Sequence, residues 1–265
     1  KFRETSRYTG IPLRTFGQQE ADIIPIVESM TKYSVMITDP KQIVYEMEKA
    51  LHLAQTGRKG PVWIDVPLDI QNMRIEPEEL EHFVIENGLN YDPLPEDIRY
   101  VVRAIRRSER PAILIGSGIR SADAVHDLEA FLEKHPIPVA YAGSAPDIYG
   151  IDNSLSIGSV GIMGCSRAGN FTVQNSDLLL VLGCRLSPMT TDSDCSKFAR
   201  EATVIVVDID RGAFVHHDDQ VGEIVDKRAI GFKEIIREIK WIQSIPMVQP
   251  QRRLEPKCRQ LPSHE

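Results

Sequence analysis

Ala112-Ile-Leu-Ile-Gly-Ser-Gly-Ile-Arg-Ser121 reads as a strand, a glycine turn and the start of a helix. The apolar run suits a strand buried on both faces, as in a parallel sheet. Gly116 and Gly118 would let backbone N–H groups approach a phosphate at a helix N-terminus. A plain strand-to-helix turn accounts for them as well, and Ser121 stands where a dinucleotide fingerprint has its third glycine.

The pattern repeats outward from this turn. A helix over 95–108 precedes the strand. A helix over 121–134 follows it and leads to a strand at Pro138–Tyr141. A glycine-rich loop at 158–169 and a short helix lead to a strand at Leu178–Leu182. Thr203–Val207 is a further strand, and 232–239 a final helix. Strand and helix in alternation predict an α/β fold, a parallel sheet with helices on both faces.

Upstream, Asp39 caps a helix over 40–56, with Pro40 in its first turn and Gly57 after its last. Val62, Trp63, Ile64 and Val66 form a strand that Pro67 ends. Acidic residues and prolines over 72–95 mark a polar join. The expected domains are 1–85 and 96–240, with a linker at 86–95 and an irregular tail at 241–265.

The chain has 265 residues, 42% of them hydrophobic, enough to bury a core. Its net charge of −7 argues against nucleic acid or an anionic membrane surface as partner. No apolar stretch approaches the ~20 residues that span a bilayer. Cys165, Cys184, Cys195 and Cys258 form no CxxC pair, so they read as bystander thiols in a reducing cytoplasm. The chain begins at Lys1 without an apolar leader, and is expected to be a piece of a longer protein.

Three further groups could carry chemistry. Asp208 ends the strand Thr203–Val207, where an acid can hold ribose hydroxyls or serve as a loop or cap carboxylate. Gly158-Ser-Val-Gly-Ile-Met-Gly-Cys-Ser-Arg-Ala-Gly169, followed by Asn170, permits close approach to a ligand or serves as a connection. His216-His217-Asp218-Asp219 and the arginines 103, 106, 107 and 110 read as solvated surface rather than a metal site or phosphate clamp. No Walker A, Gly-x-Ser-x-Gly, His-Glu-x-x-His or Gly-Asp-Gly motif is present.

Three stretches together resemble one family. Gly60-Pro-Val-Trp-Ile-Asp-Val-Pro-Leu-Asp-Ile-Gln71 resembles the end of the pyrimidine-binding domain of thiamine-diphosphate enzymes, and Glu20 to Lys32 the segment before it. Arg167 to Leu186, with Val206-Val-Asp-Ile-Asp210, resembles their central domain, a Rossmann-like six-stranded unit. The likeness covers about residues 10–240 and is closest to the acetolactate synthase branch.

The resemblance implies a cytoplasmic carboligase or decarboxylase acting on pyruvate or a similar 2-oxo acid, as a homodimer or homotetramer. It implies thiamine diphosphate and magnesium. The family's activating glutamate would lie before residue 1 and its Gly-Asp-Gly metal motif after residue 265, so this chain alone should be inactive. Gln19 matches a glutamine that lines the substrate entrance and Lys32 a lysine in the same segment, which makes them the candidate catalytic residues; a structural polar contact is the alternative for both. Gly116, Gly118, Arg185, Asp208 and Ile209 match positions that hold FAD or an adenine group in some members. Leu68, Met163 and Leu186-Ser187-Pro188 replace a lysine, a histidine and Phe-Asp-Asp of acetolactate synthases, which weighs against FAD and against true acetolactate synthesis. The alternative is a non-catalytic module that binds FAD, ADP or CoA, or serves assembly.

Overall fold

The computed structural model describes residues 2–18, 20–85, 95–163 and 165–209, in two compact units divided at Asn90/Tyr91. Gln19, the join at 86–94, the His216–Asp219 group, the helix at 232–239 and the tail lie outside the described residues.

The first unit holds the short helices α1 (Ser6–Thr9) and α2 (Ile24–Val27), strand β1 (Tyr33–Met36), helix α3 (Ile43–Gln55), strand β2 (Val62–Asp65) and helix α4 (Leu68–Gln71). β1 and β2 pair in parallel, Tyr33 opposite Val62. Asp39 does cap, but the helix it opens is a 3-10 turn, Pro40–Gln42, that leads into α3. The core is small: Ile24, Val27, Ile37, Ala50, Ile70 and Leu80 are buried, while Trp63, Met47 and Leu51 stay exposed. Glu20 gathers the unit's first residues by accepting from the Ser6 hydroxyl and the N–H groups of Ser6, Phe16 and Gly17. The Ser6 hydroxyl leads these bonds in holding its carboxyl down at about 2.

The second unit runs α5 (Pro95–Arg107), β3 (Pro111–Ile115), α6 (Gly118–Ser121), α7 (Val125–Lys134), β4 (Val139–Ala142), β5 (Ser156–Val160), α8 (Arg167–Asn175), β6 (Leu178–Leu182), α9 (Pro188–Thr191) and β7 (Thr203–Val207). Its five strands are all parallel, in the order β5-β4-β3-β6-β7. Six strands are expected for the Rossmann-like unit, and five lie among the described residues. No described helix is long and apolar enough to cross a membrane.

Alternate residues of each strand point to opposite faces, and both faces are covered. Ile113, Ile115, Leu180 and Ile205 pack on one face with α5 and α7. Leu114, Leu179, Val181 and Val204 pack on the other with Val173 of α8 and Phe198. Burying each such side chain contributes about 1.5–3 kcal/mol. Two expectations change. The helix read as 121–134 is two helices, because Asp123 takes a left-handed φ of 55° between α6 and α7. The stretch read as a loop from 158 begins inside β5, which pairs with β4 through a register shift at Val139/Ala140.

Asp177, just before β6, fastens the α5–β3 turn. Its carboxylate accepts from the Ser108 hydroxyl, from Glu109 N–H at 2.7 Å and from Arg110 N–H at 3.0 Å. Partial burial pushes its pKa up, but these bonds outweigh burial and hold it below the usual carboxylate range.

Candidate functional site

The chain builds β3, β4 and β5 outward in one direction, then returns to lay β6 and β7 on the other side of β3. The reversal falls between β3 and β6, and ligands of open α/β sheets bind beyond the carboxyl ends of the strands at such a point. The structure brings Gly116 and Gly118 (after β3), Cys184 and Arg185 (after β6) and Asp208 and Ile209 (after β7) to this edge.

The two turns meet backbone to backbone. A Cβ on Gly116 would lie 2.3 Å from the Gly183 carbonyl oxygen and 2.6 Å from Cys184 Cα. One on Gly118 would lie 2.6 Å from Gly183 Cα. Gly183 itself has φ 57°, a conformation that costs glycine little. The amides are also engaged. Gly116 N–H donates to Leu182 O (3.0 Å), Gly118 N–H to Gly183 O (2.9 Å) and Gly183 N–H to Val207 O (2.9 Å). These glycines therefore serve close packing of two turns. Neither the Gly116 nor the Gly118 N–H is directed at a phosphate, and α6 is a single turn rather than a helix that could present an N-terminus. The turn does not fit the diphosphate of FAD.

Beside this seam, Cys184 is buried. Burial pushes its thiol pKa up, an N–H from Leu186 lowers it, Asp208 raises it further and Arg185 lowers it. The thiol stays protonated and is a poor nucleophile. Leu186 is 2% exposed and takes a φ of 51°, a conformation uncommon for a leucine. Arg185 is exposed, and Asp208 and Ile209 are half-buried.

The β5 side of the edge is apolar. Ile162, Met163 and Met189 are exposed, Met163 by 69%. Ile162 N–H donates to Met189 O at 3.1 Å, joining this loop to α9. Asn170 of α8 clamps the loop. Its Oδ1 accepts from Gly161 N–H at 3.0 Å and its Nδ2 donates to Gly161 O at 2.9 Å. Ser166 caps α8 by accepting from Gly169 N–H at 3.2 Å. Sequence reading places neither role. The only local signal is a polar residue at each end of the turn Ser166–Asn170, and the partner Gly161 becomes a neighbour only once β5 exists.

Lys32 lies in the first unit. Its Nζ donates to the carbonyls of Leu53 and of Thr56, the latter at 2.6 Å, capping the end of α3. Among the described residues no group of three or more His, Cys, Asp or Glu could hold a metal ion. The edge offers a guanidinium, a carboxylate and an apolar lip, which suits binding rather than bond-making.

The family model of the thiamine pyrophosphate enzyme central domain matches residues 98–228. The acetolactate synthase large subunit of Corynebacterium glutamicum is 35% identical over 75% of this chain and 32% of its own length. The "Probable acetolactate synthase large subunit" of Methanocaldococcus jannaschii is 33% identical over 76% of this chain and 35% of its own. The chloroplastic acetolactate synthase of Arabidopsis thaliana is 33% identical over 76% of this chain and 30% of its own. The chain thus spans about a third of the length of these relatives. A five-stranded parallel sheet, the match of the domain and relatives across archaea, bacteria and plants agree: residues 98–228 belong to the thiamine pyrophosphate enzyme family, as a central domain.

Proposed function

We propose that this chain is part of a thiamine-diphosphate-dependent carboligase or decarboxylase of acetolactate synthase type, a transferase or lyase acting on pyruvate or a similar 2-oxo acid. The observation that carries the reading is the extent of the likeness. The M. jannaschii relative aligns over 76% of the chain, longer than the whole second unit at 91–265, so the match reaches into the first unit. That unit reads as the second half of a pyrimidine-binding domain. Trp63 of its two-stranded sheet and Met47 and Leu51 of α3 stay exposed, as in a core part of whose cover lies elsewhere.

In this reading the groups that hold magnesium and the diphosphate lie outside the chain, which alone does not turn over substrate. The complete protein works in the cytoplasm as a homodimer or homotetramer. Thiamine diphosphate supplies the carbanion chemistry. The second unit contributes a sheet edge with Arg185, Asp208 and Ile209 at its rim, and Gln19 and Lys32 are the substrate-side residues that the family resemblance assigns to the first. Flavin is not part of this proposal, because the Gly116 and Gly118 amides are engaged within the protein.

The test is an assay of the protein from its native gene with pyruvate, thiamine diphosphate and magnesium. Cofactor-dependent release of carbon dioxide is expected, with none from residues 1–265 alone. A full-length protein that neither binds thiamine diphosphate nor consumes any 2-oxo acid overturns the reading.

A further inference from the structure

A second feature sits at the opposite edge of the five-stranded sheet, where the strands begin. A cavity of about 330 Å³ opens between α5 and the first residues of β6 and β7. Arg103 and Arg107 line it from α5, Leu178 and Thr203 from the strands, and Ser108 and Asp177 from the turn between. Four residues apart on one helix, the two guanidinium groups face the same way. Among the described residues neither has an ion-pair partner. Arg99 extends the row one turn earlier, and α5 has no acid after Asp97. Like charges at this spacing repel, so the row gains from an anion set against it. Asp177 is the one carboxylate among the lining residues. Its charge is already met by the Ser108 hydroxyl and the N–H groups of Glu109 and Arg110.

We propose that this cavity binds a small dianion, a phosphate ester or a dicarboxylate with a short carbon body. Each guanidinium presents a planar fork of donors that grips two oxygens of phosphate or carboxylate at once. The volume stands at the low end of the roughly 300–1,000 Å³ of small-molecule sites, which admits a compact ligand and excludes a dinucleotide. Leu178 and Ala104 supply an apolar floor for the carbon body, and the exposed Thr203 a hydroxyl at the rim. The site is separate from the carboxyl edge and does not depend on the reaction proposed above.

Calorimetric titration of the full chain at low ionic strength tests it, with inorganic phosphate, glycerol 3-phosphate, succinate and uncharged glycerol as probes. At least one dianion should bind saturably, and glycerol should not. Preference among the three assigns the ligand to phosphates or to dicarboxylates. The double variant Arg103→Ala/Arg107→Ala should weaken binding at least tenfold. Alanine at exposed helix positions keeps α5 intact, which circular dichroism melts verify. Arg106→Ala, an exposed arginine that does not line the cavity, should leave binding unchanged. The proposal is overturned if no dianion binds, if the double variant binds as well as the parent, or if Arg106→Ala costs as much as the double change.

Discussion

Gly116 shows how one residue type can carry two explanations that only geometry separates. In sequence it reads as phosphate cradle or plain turn with equal ease. In the fold its missing side chain is the space that the Gly183 carbonyl and Cys184 fill. Gly116→Ala would press a methyl against backbone, which cannot swing aside as a side chain can. A loss of about 1–3 kcal/mol is expected, read as a lowered urea midpoint. An unchanged midpoint would show that the two turns separate freely. Asp208 was legible as a residue at a strand end, because Thr203 to Val207 is an unbroken β-branched run that fixes where the strand stops. Arg185 carries no such signal, since an exposed arginine looks alike beside a ligand and beside water.

Elements were legible in proportion to their apolar content. β3, β6 and β7 declare themselves because strands buried on both faces are nearly all Val, Ile and Leu. β5 does not, since Ser156-Ile-Gly-Ser-Val160 has the composition of a loop and is a strand only because β4 and α8 hold it. β1, Tyr33-Ser-Val-Met36, was hidden because it is only four residues long and half-buried throughout, too short for an alternating pattern to show. The division of α6 from α7 turns on one left-handed aspartate that no periodicity marks. At this scale Lys32 is a helix cap, whatever else it does in the complete protein. Lys32→Met should cost about 0.3–1 kcal/mol through the lost cation at the end of α3, visible as a lower thermal midpoint. If the midpoint holds while turnover of the full-length protein falls, the lysine belongs to the substrate side alone.

For the whole molecule, the shifted carboxyls and His135, the groups that titrate on the acid side, point one way. Hydrogen bonds hold the Glu20, Glu48, Asp147 and Asp194 carboxyls below the usual range, and Asp177 is low despite its burial. Burial holds His135 below its ordinary value. In each case the unfolded chain takes up protons first, so acid favours unfolding. Stability should begin to fall as pH drops through about 6.5, where His135 protonates once unfolded. It should fall further below about 4.3 as the carboxylates follow. Urea midpoints across that range check this, and a midpoint that rises between about pH 5 and 3 contradicts it. The full-length protein should also purify without the yellow of bound flavin and need none for turnover; a stoichiometric flavin would mean that the diphosphate is held by groups other than the Gly116 and Gly118 amides. The seam between the turns also limits what heredity can repair. A crowded side chain is usually rescued by trimming the neighbour it strikes, but here the two nearest atoms are the Gly183 carbonyl oxygen and Cys184 Cα, backbone that no substitution removes. A genetic screen for suppressors of Gly116→Ala should therefore recover reversion to glycine, or gains in stability far from the seam, and no compensating change at Gly183.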